Sequence, residues 1–428
     1  MTFVKRRDLL LGGLAGAAAL SLPRLRRTRA AETDRPARNL LLVLAAGGWD
    51  TTYALDPKPG LATVDAPAGA LTAYGDLDIW TDPSRPAVAA FFEAHAAITT
   101  VVRGISVRSI AHPECKKRVL TGTASSANPD VGAICAHELG RELPLPYLIL
   151  GDEAFTGPLA ASAGRVGLTN QISALLDPAQ AYPAPPGAPL GGPAFVPTAG
   201  DEAAIRAYVA ARAEREKAVR GARGYNRARV DDFLGSLERS DRLRPYAGGF
   251  GGRGRNLRLE DQAGLAAQVV EQGISRSVML DSRLAWDTHN RNEDQSGFHE
   301  SLFAALRLLV DDLAARPGAR SGSVLLDETV VVVLSEMSRT PRLNAQGGKD
   351  HWPVTSALVV GAGVRGGRAC GGTSDDVEAL PVDLATGQLD AGGSIIQTAN
   401  LAAGLLELAG VDPAAYFPGV EPLHALAA

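Results

Sequence analysis

Asn39-Leu40-Leu41-Leu42-Val43-Leu44-Ala45-Ala46, followed at once by Gly47-Gly48-Trp49-Asp50, is a continuous apolar run that stops at two glycines and an acid. A strand with one wet face alternates apolar and polar residues, and this run does not. It therefore reads as a strand buried on both faces of a parallel sheet. Asp50 falls just beyond its carboxyl end. The same grammar recurs at Glu328-Thr329-Val330-Val331-Val332-Val333-Leu334, with Ser335-Glu336 immediately after it. It recurs again at Ser356 to Val360 before Gly361-Ala362-Gly363, and from Ile274 to Leu280 ahead of Trp286. Between these runs, helical periodicity covers Glu202 to Arg220, Glu260 to Gln272 and Gly297 to Ala315. Strands alternating with helices predict an α/β fold with a largely parallel central sheet and helices on both faces. Such sheets bind their ligands beyond the carboxyl ends of the strands, which points Asp50 and Glu336 into one crevice.

The segments Pro144 to Pro146, Pro178 to Pro197 and Gly248 to Gly254 concentrate proline or glycine without apolar periodicity and read as loops. The glycine run is no phosphate cradle, because no strand precedes it and no Lys-Ser/Thr pair follows. The Ala/Arg/Glu-rich helical block from about 202 to 245 reads as a solvated insertion or cap, so that residues 178–255 form an insertion in an α/β body spanning 36–425. A chain of 428 residues exceeds the usual single-core limit of about 250–300, which calls for two domains or one large elaborated one. Three cysteines, Cys115, Cys135 and Cys370, are too few for a disulfide framework and read as buried thiols.

The amino terminus concerns targeting. Lys5-Arg6-Arg7-Asp8-Leu9-Leu10-Leu11 leads into a short Leu/Gly/Ala stretch that ends near Pro23, followed by Arg24, Arg26, Arg27 and Arg29. This resembles a twin-arginine export signal over residues 1–31, although Lys5 precedes the pair and Leu9 stands where phenylalanine is usual. The apolar stretch is shorter than the roughly 20 residues that span a bilayer, so no stable membrane span is expected after cleavage. Removing residues 1–30 leaves 36 bases against 46 acids, a formal charge of −10. So acidic a product is a poor nucleic-acid binder, since that function rests on neutralising phosphates. The expected product is periplasmic or otherwise extracytoplasmic, with the twin-arginine machinery as its export partner.

Three short islands carry the chemistry: Trp49-Asp50, Trp286-Asp287-Thr288-His289 and Asp350-His351-Trp352. Carboxylate and imidazole together are what a hard or borderline divalent ion takes as donors. Each island also has an ordinary reading. An Asp after a buried strand often caps the next helix. Asp287-Thr288-His289 suits an Asx-turn. Glu336 with Arg339 suits a salt bridge, and Asp350-His351 a loop clamp. The tryptophans read as packing that stiffens the loops. Arg339, Arg342 and Lys349 are cations suited to the oxygens of an anionic substrate.

The stretch from Thr329 to Trp352, with Ser335-Glu336-Met337-Ser338-Arg339-Thr340-Pro341-Arg342 and Gly347-Gly348-Lys349-Asp350-His351-Trp352-Pro353, resembles the DUF1501 family of exported bacterial proteins. Gly47-Gly48-Trp49-Asp50-Thr51, Asp56-Pro57-Lys58-Pro59 and Trp286-Asp287-Thr288-His289 match the same family in order. Ser335 and Met337-Ser338 depart from the family's glycine and Phe-Gly. The family is grouped with the alkaline phosphatase and sulfatase superfamily, so the resemblance implies that fold and a site of one or two divalent ions, zinc, manganese or calcium. Carried onto matching positions, the implied ligands are Asp50, Asp287, His289, Glu336, Asp350 and His351. The segment His112-Pro113-Glu114-Cys115-Lys116-Lys117-Arg118-Val119-Leu120-Thr121-Gly122 resembles the sulfatase nucleophile segment, with His112 in the nucleophile's place. The resemblance thus implies a hydrolase of phosphate or sulfate esters, with His112 beside the substrate and Arg339 as anion binder. The alternative is a catalytically silent surface or scaffold protein that keeps the fold and a structural metal.

Overall fold

A computed structural model describes residues 36–166, 172, 197–220, 225–246, 250 and 257–428. Its strands are β1 (Asn39–Leu44), β2 (Ala70–Tyr74), β3 (Leu77–Thr81), β4 (Thr99–Ser106), β5 (Tyr147–Ile149), β6 (Ala163–Arg165), β7 (Ser277–Asp281), β8 (Thr329–Leu334), β9 (Ser338–Arg339), β10 (His351–Trp352), β11 (Val354–Gly361) and β12 (Arg368–Gly371). Eight of them form one sheet in the order β12-β4-β11-β8-β1-β7-β5-β6. The strand that opens the chain's legible grammar, β1, lies at its centre, parallel to β7 on one side and to β8 on the other. All six β1 residues are buried. Leu41 and Val43 face one core and Leu40, Leu42 and Leu44 the other, which is the two-sided burial that an unbroken apolar run requires.

The helices are α1 (Pro86–His95), α2 (His112–Thr121), α3 (Val131–Leu139), α4 (Ala199–Val219), α5 (Tyr225–Leu243), α6 (Leu259–Glu271), α7 (Asp294–Ala315) and α8 (Thr398–Ala409). One face of the sheet is covered by α1, α6 and α7; Phe91 and Phe303 meet there with ring centroids 5.4 Å apart. The other face is covered by α2, α3 and α8. The helices expected at 202–220, 260–272 and 297–315 are α4, α6 and α7, each begun one to three residues earlier. Only Ala213 of α4 is buried, in keeping with its solvated composition. The expected signal segment 1–31 lies outside the described residues, as do nearly all of 178–197 and 248–254. No helix among the described residues is long and apolar enough to cross a membrane. All three cysteines are unpaired and buried.

One strand departs from the sequence reading. The run ending at Gly361 is β11, and it lies antiparallel to both β4 and β8. Its start therefore sits at the edge where the other strands end. His351, three residues before β11, reaches the site from that side. The register of its pairing with β4 shifts between Thr355 and Ala357, the kind of irregularity that occurs near sites.

Candidate metal centre

Four loops meet beyond the carboxyl ends of the central strands. The loop after β4 ends at His112, the first residue of α2. The loop after β7 carries Asp287 and His289, the one after β8 carries Glu336, and the ribbon β9-β10 sets His351 opposite Arg339. Gly47, just past β1, lies at φ 125°, and a Cβ there would stand 2.9 Å from the Asp287 backbone nitrogen. Only glycine allows the β1 and β7 loops to close so tightly. A Cβ on Gly348 would likewise fall 2.0 Å from the His289 carbonyl carbon.

The imidazoles are held alike. His112 Nδ1 donates to Glu336 Oε1 at 2.7 Å. His289 Nδ1 donates to Asp350 Oδ1 at 3.0 Å, and His351 Nδ1 to the Ile110 carbonyl at 2.7 Å. These partners accept hydrogen bonds, so they assign the proton of each neutral ring to Nδ1 and leave a lone pair on each Nε2. The three Nε2 atoms converge on Asp287. Those of His351 and His289 lie 3.2 and 3.3 Å from Oδ1, and that of His112 lies 3.4 Å from Oδ2. The His289 and His351 nitrogens are 2.9 Å apart. His112 Nε2 is buried without a hydrogen-bond partner. Lone pairs and a carboxylate aimed at one point form an arrangement that a cation completes. One atom each from His112, Asp287 and His351 all lie within 4.8 Å of one another, a spacing suited to a shared ion.

The electrostatics agree. Asp287, Glu336 and Asp350 face the single guanidinium of Arg339, an excess of carboxylate that a divalent ion would complement. Burial raises the Asp287 carboxyl, but the Arg339 guanidinium and the neighbouring imidazoles outweigh it and hold the group at about 2. The hydrogen bond from His289 lowers the Asp350 carboxyl. The hydrogen bond to Glu336 raises His112 against the opposing effect of burial.

Two residues given roles by the sequence have their polar groups engaged by internal partners. Asp50 is 1% exposed, and its carboxylate is taken by Lys349 Nζ at 2.8 Å, Asn292 Nδ2 at 2.9 Å and the Thr52 hydroxyl at 2.7 Å. It caps the short 3-10 turn Thr51–Tyr53 by accepting from the Thr52 amide, so it stands apart from the histidine cluster. Lys349 drives the Asp50 carboxyl down against the upward pull of complete burial. Arg339, 1% exposed, is not free to bind an anion. Its guanidinium donates to the carbonyls of Gly47, Gly48, Trp286 and Lys349 and to Asp287 Oδ1. It ties the backbones of three loops to the carboxylate at the centre, and Lys349 is likewise committed to Asp50. Glu336, 0% exposed, accepts from the Gly47 amide with both oxygens and from His112, so it and Asp350 orient imidazoles.

Two contributors have no sequence signal. The Ile110 carbonyl orients His351, and any residue supplies a carbonyl. Asn344 donates to the His289 carbonyl at 2.9 Å and to Asp350 Oδ1 at 3.2 Å, but reads as an ordinary loop residue. Trp49 and Trp286 pack as expected, while Trp352 is only partly buried. Trp49 and Trp286 are fully buried and meet edge to face, with His299 stacked against Trp49. Burial lowers His299 to about 4, so this neutral ring belongs to the packing.

A family model described as "Protein of unknown function (DUF1501)" matches residues 201–421, just over half of the chain. No curated protein matches it. Similar solved structures include a protein in the alkaline phosphatase superfamily from Vibrio parahaemolyticus, 12% identical, covering 96% of this chain and 76% of that one, with a TM-score of 0.40. The C-terminal periplasmic domain of EcEptC from Escherichia coli, in complex with Zn, is 9% identical, covers 92% and 87%, and has a TM-score of 0.40. The PsFucS1 sulfatase from Pseudoalteromonas sp. is 13% identical, covers 92% and 72%, and has a TM-score of 0.36.

Proposed function

We propose, for a chain that belongs to the DUF1501 family, the role of an exported, metal-dependent hydrolase of phosphate or sulfate esters acting outside the cytoplasm. The observation that carries the metal dependence is the convergence of three imidazole lone pairs on Asp287, with one of those nitrogens buried and unpartnered. The twin-arginine-like segment supports the export.

A bound divalent ion would supply Lewis acidity toward an ester oxygen and make water a better nucleophile at neutral pH. The chain's own residues supply position. Arg339 fixes Asp287, while Glu336, Asp350 and the Ile110 carbonyl fix the three rings. His289 and Asp287 have side chains 47% and 48% exposed, which leaves one side of the centre open to a substrate. With His112 tied to Glu336 and turned toward Asp287, the attacking group in this reading is water.

The test is turnover of phosphate and sulfate monoesters and diesters by metal-loaded protein. Hydrolysis that needs added ion and is lost in Asp287→Ala and His351→Ala is expected. Metal-loaded protein that leaves every ester intact would overturn the reading. A second reading is favoured by the commitment of Arg339 and Lys349 to internal partners. In it the chain is a catalytically silent scaffold that keeps the ion for stability, and the same assay returns binding without turnover.

A further inference from the structure

Resting on the metal reading above, we propose that the centre is built for one borderline transition ion of the zinc or cobalt class. The ion is held by Nε2 of His112 and His351 and by the Asp287 carboxylate, whose atoms lie within 4.8 Å of one another, with His289 Nε2 as the fourth donor, Glu336 and Asp350 as outer carboxylates, and water or substrate taken up by expansion to five-coordinate. His112 thereby becomes a ligand, although it stands where the sequence places a nucleophile.

The donor type comes first. Three neutral imidazoles and one carboxylate suit zinc and its neighbours, whereas calcium takes six to eight oxygens and magnesium keeps an oxygen shell. Spacing follows. Donors about 2.0–2.1 Å from a tetrahedral ion lie about 3.3–3.4 Å from each other. Asp287 Oδ1 lies 3.2 Å from His351 Nε2 and 3.3 Å from His289 Nε2, and its Oδ2 lies 3.4 Å from His112 Nε2. The fourth, His289 to His351, is 2.9 Å, and two bare nitrogens that close repel unless positive charge lies beside them.

The outer shell has the form that fixes metal-binding histidines, in which the far ring nitrogen donates to a carboxylate or carbonyl. All three rings meet it.

The count of one follows from what surrounds the cluster. A second ion would need the Asp50 carboxylate or the Glu336 oxygens. The ammonium of Lys349, fully buried, already neutralises Asp50 at 2.8 Å. Glu336 is consumed by the Gly47 amide and His112. No second group of donors with ion-holding spacing occurs among the described residues.

The experiment strips the full chain with chelator and titrates it with cobalt(II) and zinc, reading stoichiometry by calorimetry and geometry from the cobalt visible spectrum. One equivalent with the intense absorption of a four-coordinate, nitrogen-rich ion is expected. His112→Ala should abolish that spectrum, and Glu336→Gln and Asp350→Asn should keep one equivalent with affinity reduced about 10–100-fold. The pair Asp50→Asn with Lys349→Met, which removes both buried charges together, should also keep one equivalent. Two equivalents in the unaltered chain would overturn the inference while leaving the metal reading intact. So would an unchanged spectrum in His112→Ala. Failure to bind either ion would overturn both.

Discussion

His112 shows how much a single residue carries. Its hydrogen bond to Glu336 raises it above the ordinary histidine value, with burial opposing. A raised folded value means that the metal-free protein gains stability from this pair at pH values below about 6.5, and loses it as pH rises through the raised value. Chelated protein compared with chelated His112→Ala by urea unfolding should therefore show a stability gap that narrows as pH rises. A gap that widens would contradict the assignment. Metal has the opposite dependence, because the ring must be free of its second proton to serve as a donor. Arg339 is the other decisive residue. Replacing it with Met strands four carbonyls and leaves Asp287 without its nearest guanidinium. We expect a loss of at least about 1–3 kcal/mol in urea unfolding, the cost of a buried polar group left without its hydrogen-bond partner. The sequence shows a cation in a motif and suggests anion binding. Its true acceptors are mostly backbone carbonyls, which carry no sequence signal.

At the level of elements, legibility followed burial. The runs of β1 and β8 are apolar without a break and read at once as two-sided strands. Truncating Leu42, at 2% exposure in the middle of β1, should cost about 2–5 kcal/mol by thermal or urea unfolding, as a cavity in a packed core does. By contrast, β4 is interrupted by Arg103 and Gly104 and gives no such run, although it ends in the loop that delivers His112. The direction of β11 was equally hidden, since an apolar run looks the same whichever way it points. Capping chemistry decides α3. Asp130 accepts from the Ala133 amide at 2.7 Å, the Phe155 amide at 2.8 Å and the Tyr147 hydroxyl at 3.2 Å. Asp130→Ala removes the cap and leaves a buried amide unpaired, with an expected loss of about 2 kcal/mol in melting experiments and no change in metal stoichiometry. A change in stoichiometry would mean that α3 reaches the centre by a route these contacts do not show.

Across the whole molecule, the centre is built from residues that lie from 112 to 351 in the chain, brought together because the sheet ends its parallel strands on one edge and begins β11 there. The sequence made Asp287, His289, Glu336, Asp350 and His351 legible as neighbours. It did not make legible which of them would face inward, because the tautomer of each ring is set by loop contacts that only the fold creates. An unfolded chain cannot present three imidazoles and a carboxylate to one ion, so binding must favour the folded state. Metal at 100 times its dissociation constant should then add about 2.7 kcal/mol to unfolding free energy, and more at higher excess. Differential scanning calorimetry of chelated and zinc-loaded protein should show the midpoint rising with zinc concentration. The same titration on His351→Ala should leave the midpoint nearly flat, since that change deletes a donor at the start of β10 without touching the core that melts. A midpoint that climbs equally in both would place the stabilising ion elsewhere in the molecule.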